Sequence, residues 1–104
     1  MIKVSVLHRY KEGVGFDMNY YLGSHIPMVR TKLGAACKEA AVEQGVAGGA
    51  PGTQPTYVAM GHLLFDTVES FQAAFAPHAA TIMADIPNYT ALQPIIQISE
   101  VKMS

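Results

Sequence analysis

The chain has 104 residues, half of them hydrophobic and only 14% charged, with a formal net charge of −1. That length belongs to one domain, spanning residues 1–104. The absence of a basic run excludes nucleic acid and an anionic membrane surface as partners, and no apolar run is long enough to span a bilayer.

Ile2 to His8 alternates apolar and polar residues and reads as a strand, with Ile2, Val4, Val6 and His8 on one face. This start lacks the layout of a signal peptide. Together with a single cysteine, Cys37, which rules out an intrachain disulfide, it points to a reducing cytoplasm. Gly13 and Gly15 then break the chain. Asp17 is placed to cap a helix through its carboxylate, and Phe16 and Tyr21 occupy the positions of a hydrophobic staple. Met18, Leu22, Val29 and Leu33 follow on one side at helical spacing, and Gly34 marks the stop. Pro27 lies inside this helix, so a kink or break is expected immediately after His25.

Ala40 to Val46 predicts a weaker strand, and Gly48 to Pro55 a loop. Thr56 to Phe65 is apolar on both faces, which predicts a central strand covered on both sides. Asp66 and Glu69 suit the first turn of a second helix in a capping-box arrangement. Val68, Phe71 and Phe75 form its inner stripe, Pro77 interrupts it, and a further piece runs from His78 to Asp85. Pro87-Asn88 predicts a turn, and Ile95, Ile96, Ile98 and Val101 the last strand. The order βαββαβ is that of the ferredoxin-like α+β fold, a four-stranded antiparallel sheet with two helices on one face. The other face is too apolar to stay bare. A homodimer of face-to-face sheets would cover it.

Two groups of residues stand out chemically. Tyr21 and His25, four apart, project from one side of the first helix, at the rim of the helix–sheet interface. There a phenol and an imidazole can exchange protons near neutral pH. The alternative is structural: Tyr21 completes the staple and His25 bonds a backbone carbonyl. Tyr20 points elsewhere on the wheel. The second group, Asp85 with Asn88 and Tyr89, leads into the last strand and would line one end of the cleft, or form a plain turn. His62, among Val58, Met60 and Leu64, is either a ligand contact or a satisfied interface histidine. His25, His62 and His78 have no metal-binding spacing. No phosphate loop and no dinucleotide fingerprint is present, so neither a metal nor a bound cofactor is expected.

Asp17-x-x-Tyr20-Tyr21-x-x-x-His25-x-Pro27 resembles the signature of the EthD family, named for a protein of ethyl tert-butyl ether degradation. The stretch Ile82-Met83-Ala84-Asp85-Ile86-Pro87-Asn88-Tyr89-Thr90, with Pro94 and Gln97, is similar to bacterial members as well, and the resemblance covers essentially the whole chain. It implies a dimeric α+β barrel. The superfamily includes cofactor-free monooxygenases, lactone isomerases, polyketide cyclases and haem-handling enzymes, and family members are often labelled oxidoreductases. It also implies His25, then Tyr21, as the catalytic positions. Tyr20, His62, Asp85, Asn88 and Tyr89 are expected, from their places along the chain, as substrate contacts. The expected ligand is a small hydrophobic carbonyl, phenol or lactone. A non-catalytic binding or accessory protein for a hydrophobic metabolite in a degradation pathway is the alternative.

Overall fold

A computed structural model describes residues 1–104. Strand β1 (Ile2–Arg9) is followed by a helical arm made of α1 (Met18–Tyr20), a π turn (Tyr21–His25) and α2 (Ile26–Leu33). Strands β2 (Glu39–Gln44) and β3 (Tyr57–Phe65) come next. A second arm follows, of α3 (Val68–Phe75) and α4 (Ala79–Ala84) joined by a 3-10 turn, and then β4 (Pro94–Glu100). The sheet order is β2-β3-β1-β4 with every neighbouring pair antiparallel. This is the ferredoxin-like α+β fold.

The register explains the two-sidedness read from the alternation. Val4 lies between Leu63 and Ile98, and Val6 between Gly61 and Ile96. Ile2, Val4, Leu63 and Phe65 meet Val29, Leu33, Phe71 and Ile82 of the helical arms in one buried core. Residues two apart on a strand share a face, so Ser5, Leu7, Met60, His62, Leu64 and Ile95 lie on the opposite face of the sheet. No helix covers that side. β3 is an interior strand, as its doubly apolar pattern requires, whereas Val46 falls outside β2 and is exposed.

Three local expectations change. Pro27 distorts the helix without breaking it. It has no N–H to donate and its ring crowds the preceding turn; the chain responds by widening to i→i+5 bonding, with Ile26 N–H donating to the Tyr21 carbonyl. The extra residue in that turn also alters the phase of the helix, and Leu22, placed on the inner stripe by regular spacing, is half exposed. The second arm is capped by Thr67, not Asp66. Thr67 Oγ1 accepts from Ser70 N–H at 3.0 Å and Ser70 Oγ accepts from Thr67 N–H at 3.1 Å, a closed capping box. Asp66 instead faces Lys38 at 3.8 Å on the surface. Gly34 does end α2, with φ of 65° and its N–H on the Arg30 carbonyl; that left-handed region favours glycine.

Candidate active site

Asp17 caps α1 as expected, its carboxylate accepting from Tyr20 N–H at 3.0 Å, and Phe16 packs edge-on against Tyr21 at 5.1 Å as the staple. The same segment is clasped to the distant stretch that leads into β4. Asp17 N–H donates to the Tyr89 carbonyl at 2.8 Å, Thr90 Oγ1 donates to the Gly15 carbonyl at 2.9 Å, and Phe16 bridges Thr90. This clasp brings the two chemically distinctive groups of the sequence side by side.

At the junction, His25 Nδ1 lies 2.8 Å from Asp85 Oδ2. The other carboxylate oxygen accepts from Tyr20 Oη at 2.7 Å and from Asn88 Nδ2 at 2.8 Å. These bonds, led by that from Tyr20, hold the Asp85 carboxyl below its usual range, while the same bond raises the Tyr20 phenol. An ionised carboxylate only accepts, so His25 Nδ1 donates to it; in the neutral ring that tautomer leaves the lone pair on Nε2.

Tyr20 therefore does not point away, as a regular wheel requires. Residues five apart come into line across a π turn, and Tyr20 and His25 reach the same carboxylate. Such turns recur at functional sites.

His25 and Tyr21 are not at a rim either: they are 5% and 2% exposed. Their rings stack at 5.5 Å with 14° between planes, and Tyr89 closes on both, at 4.7 Å from His25 and 5.0 Å from Tyr21. Burial pushes the Tyr21 phenol up to about 12 and raises Tyr89 further. Both stay protonated donors at neutral pH. Tyr21, His25 and Tyr89 are the hydrogen-bonding side chains among those that line a cavity of about 60 Å³ between sheet and helices. No other group of the chain bonds His25 Nε2 or either tyrosine hydroxyl.

Six of the seven residues singled out in the sequence thus converge. Tyr21, His25 and Tyr89 face the cavity; Tyr20, Asp85 and Asn88 stand behind His25 and hold it. His62 does not join them. It lies on the open face with Nδ1 2.8 Å from Ser5 Oγ and Nε2 2.9 Å from Glu43 Oε1, because its alternation places it opposite Gly61 and Leu63.

Two residues escaped the sequence reading. Gly61 is one, although a glycine inside a strong strand is itself a sign of close approach. A Cβ built there would stand 2.5 Å from Tyr21 Oη, so the missing side chain is what seats the phenol against the sheet. The other is His8, wholly buried among the rings of Phe16, Tyr21 and Tyr89 with no partner for either ring nitrogen. Burial, aided by nearby His25, lowers its pKa to about 4 and keeps it neutral.

The model of the EthD domain matches residues 16–93, three quarters of the chain. The chain belongs to the EthD family. An EthD-like protein from Ralstonia eutropha JMP134, known from its crystal structure, is 48% identical, with a TM-score of 0.95 over 98% of this chain and 92% of that one. More distant likenesses show the fold alone. A dimeric ferredoxin-like protein of unknown function from Thermobifida fusca YX is 18% identical, with a TM-score of 0.56 over 96% of this chain and 90% of that one. A putative antibiotic biosynthesis monooxygenase from Bordetella bronchiseptica is 11% identical, with a TM-score of 0.60 over 98% and 97%. Among curated proteins there is no match. No helix of this EthD protein is long and apolar enough to cross a membrane.

Proposed function

We propose that this EthD-family protein is an enzyme that moves a proton on a small, largely apolar carbonyl, phenol or lactone. The observation that carries the reading is the Asp85–His25 pair at 2.8 Å, in which His25 lines an apolar cavity and its Nε2 has no partner in the chain. In the proposed step Nε2 takes a proton from an acidic C–H or O–H of the ligand. The electron pair left behind settles on the ligand oxygen, where the Tyr21 and Tyr89 hydroxyls donate to it. Asp85 fixes the tautomer of His25 and stabilises the imidazolium that forms.

Return of the proton to another atom of the same molecule completes an isomerisation; loss with a hydroxide leaving group completes a dehydration. Attack of dioxygen on the carbanion would make the protein a cofactor-independent oxidoreductase. Proton abstraction is common to all three. We also propose a homodimer through the open sheet face, in keeping with that face's apolar residues and with the dimeric neighbour of the same fold.

A thermal-shift screen of small carbonyls, phenols and lactones on wild type and His25→Ala, followed by turnover assays on the hits, tests the reading. Ligand binding to the folded state raises Tm. The expected result is a hit that wild type turns over and His25→Ala does not. Equal turnover by the two proteins overturns the assignment, and binding without turnover in either leaves a carrier of the same ligand.

A further inference from the structure

We propose that α4 is a gate. It swings away from the sheet about the 3-10 turn at Pro77 and about Asp85, and so opens the cavity beside His25 to solvent. That the gate admits substrate rests on the preceding reading; that it moves does not.

The size of the cavity calls for such a device. It measures about 60 Å³ with all its walls in place, less than half of the roughly 150 Å³ in which an apolar protein cavity takes up benzene. A phenol, a lactone or an open-chain carbonyl compound of similar bulk enters only if a wall gives way. Met83 of α4 and Ile96 of β4 line the cavity and are exposed, so solvent already reaches the lining at these two elements.

The walls differ in how they are held. β1, β3 and β4 share hydrogen-bonded ladders. α2 buries Val29 and Leu33, and α3 starts in the closed capping box at Thr67 and buries Phe71. The stretch after α4 is pinned at several points: Asp85 by His25, Tyr20 and Asn88, and Tyr89 and Thr90 by the clasp to Asp17 and Gly15. α4 has none of these supports. It is six residues long, far below the length at which a helix stands alone in water. Its N-cap residue, His78, makes no capping bond, and Pro77 has no N–H to donate. No side-chain hydrogen bond or ion pair involves residues 76–84, and no backbone hydrogen bond joins them to the sheet or to the first arm. Ile82 is its one buried residue. Burial of one isoleucine shifts a two-state equilibrium by roughly ten- to a hundredfold, far less than the bias that holds a whole domain folded.

The two pivots differ. The 3-10 turn Ala76–His78 interrupts the helical run between α3 and α4, with His78 at φ −118° and ψ 2°, outside the helical region. Asp85, at the other end, is fixed by its own bonds. The gate therefore opens without parting Asp85 from His25, and the pair stands ready for whatever enters.

Alkylation by iodoacetamide, itself a small carbonyl compound, tests access. Val29 lines the cavity from α2; Cys37, the native thiol, is buried in the same core but does not line the cavity. In full-length Val29→Cys, the modification of both thiols is followed in the same molecule by peptide mass spectrometry, from zero urea to the foot of the unfolding transition. The introduced thiol is expected to react at least tenfold faster than Cys37, at a rate that urea hardly changes, because a local opening exposes little surface. Cys37 is expected to react only through global unfolding, at a rate that climbs with urea. Adding Ile82→Ala, which removes the anchor of α4, should speed the introduced thiol tenfold or more without urea. Adding Ile2→Ala, which cuts the same side chain from a buried position away from the cavity, should speed Cys37 and leave the introduced thiol nearly unchanged. Equal rates with the same urea dependence overturn the gate, and so does a fast introduced thiol that ignores Ile82→Ala.

Hydrogen exchange on wild type gives the same answer without a substitution. The amides of Ile82, Met83 and Ala84 should exchange together and far ahead of those of Val29 and Leu63, since so short a helix loses its hydrogen bonds once detached; protection equal to the core overturns the gate. Neither readout depends on proton transfer. A gate that opens, with turnover the same in wild type and His25→Ala, removes the role of His25 and leaves the gate standing. An α4 that stays closed, with turnover that requires His25, does the reverse.

Discussion

Tyr21 meets constraints from three sides. It is the staple partner of Phe16, the platform on which His25 stacks, and a phenol lodged against Gly61. The last contact makes a sharp prediction. Gly61→Ala pushes a methyl into Tyr21 Oη, and overpacking of this kind costs about 1–3 kcal/mol. Removing the hydroxyl leaves Tyr21 Cζ as the nearest atom at 3.7 Å, an ordinary contact. Gly61→Ala should therefore be clearly destabilising in wild type and near neutral in a Tyr21→Phe background, as measured by urea unfolding; equal costs in both would mean that glycine is needed there for another reason. At the proposed catalytic pair, Asp85→Asn keeps the size of the side chain but removes the charge that sets the His25 tautomer. Once a substrate is in hand, it should lower kcat by about a hundredfold or more while moving KM little.

The first helical arm departs from regular geometry at the candidate site. Pro27 and the π turn belong together: the proline withholds a hydrogen bond, and the wider turn aligns Tyr20 with His25. Position along an ideal wheel could not have shown this, because the phase change depends on how the turn relaxes against the sheet. Pro27→Ala lets the arm return to i→i+4 bonding. The expected result is loss of the Tyr20–Asp85 bond, seen as a fall of the Tyr20 phenol pKa in a spectrophotometric titration; an unchanged titration would show that packing alone holds the π turn. In the second arm the cap residue is decided by geometry one position along from the acidic residue that looks suitable. Thr67→Ala should cost about 1 kcal/mol and Asp66→Ala almost nothing, distinguishable by thermal unfolding.

His8 ties the site to the stability of the whole domain. Its pKa falls from an ordinary 6.5 to about 4 on folding, so between these values the unfolded chain binds more protons than the native one. Stability is complete above about 6.5 and is lost as pH falls toward 4, by up to about 3 kcal/mol. His8→Phe should flatten the stability profile in this window, and a slope identical to wild type would place the acid sensitivity elsewhere. On the other side of the sheet, Ser5, His62 and Glu43 form a hydrogen-bonded row among Leu7, Met60, Leu64 and Ile95. If that face pairs two copies as proposed, Met60→Asp should halve the mass seen by light scattering without unfolding the chain.

The βαββαβ order, the interior place of β3 and the caps at Asp17 and Gly34 were legible because they depend on alternation, spacing and local hydrogen bonding. So were the residue types of the site: Tyr20, Tyr21 and His25 in one motif, Asp85, Asn88 and Tyr89 in another. What tertiary structure decided was their assembly. The clasp between Asp17 and Tyr89–Thr90 joins segments some 70 residues apart, and only that closure puts Asp85 on His25. The burial of His8, the seat at Gly61 and the cavity between sheet and helices depend likewise on which side chains the sheet and helices bring within contact. The position of His62 shows the converse. Its alternation already assigned it to the face opposite Gly61, but only the packing of both helical arms on the Gly61 side revealed that the sheet separates it from the site.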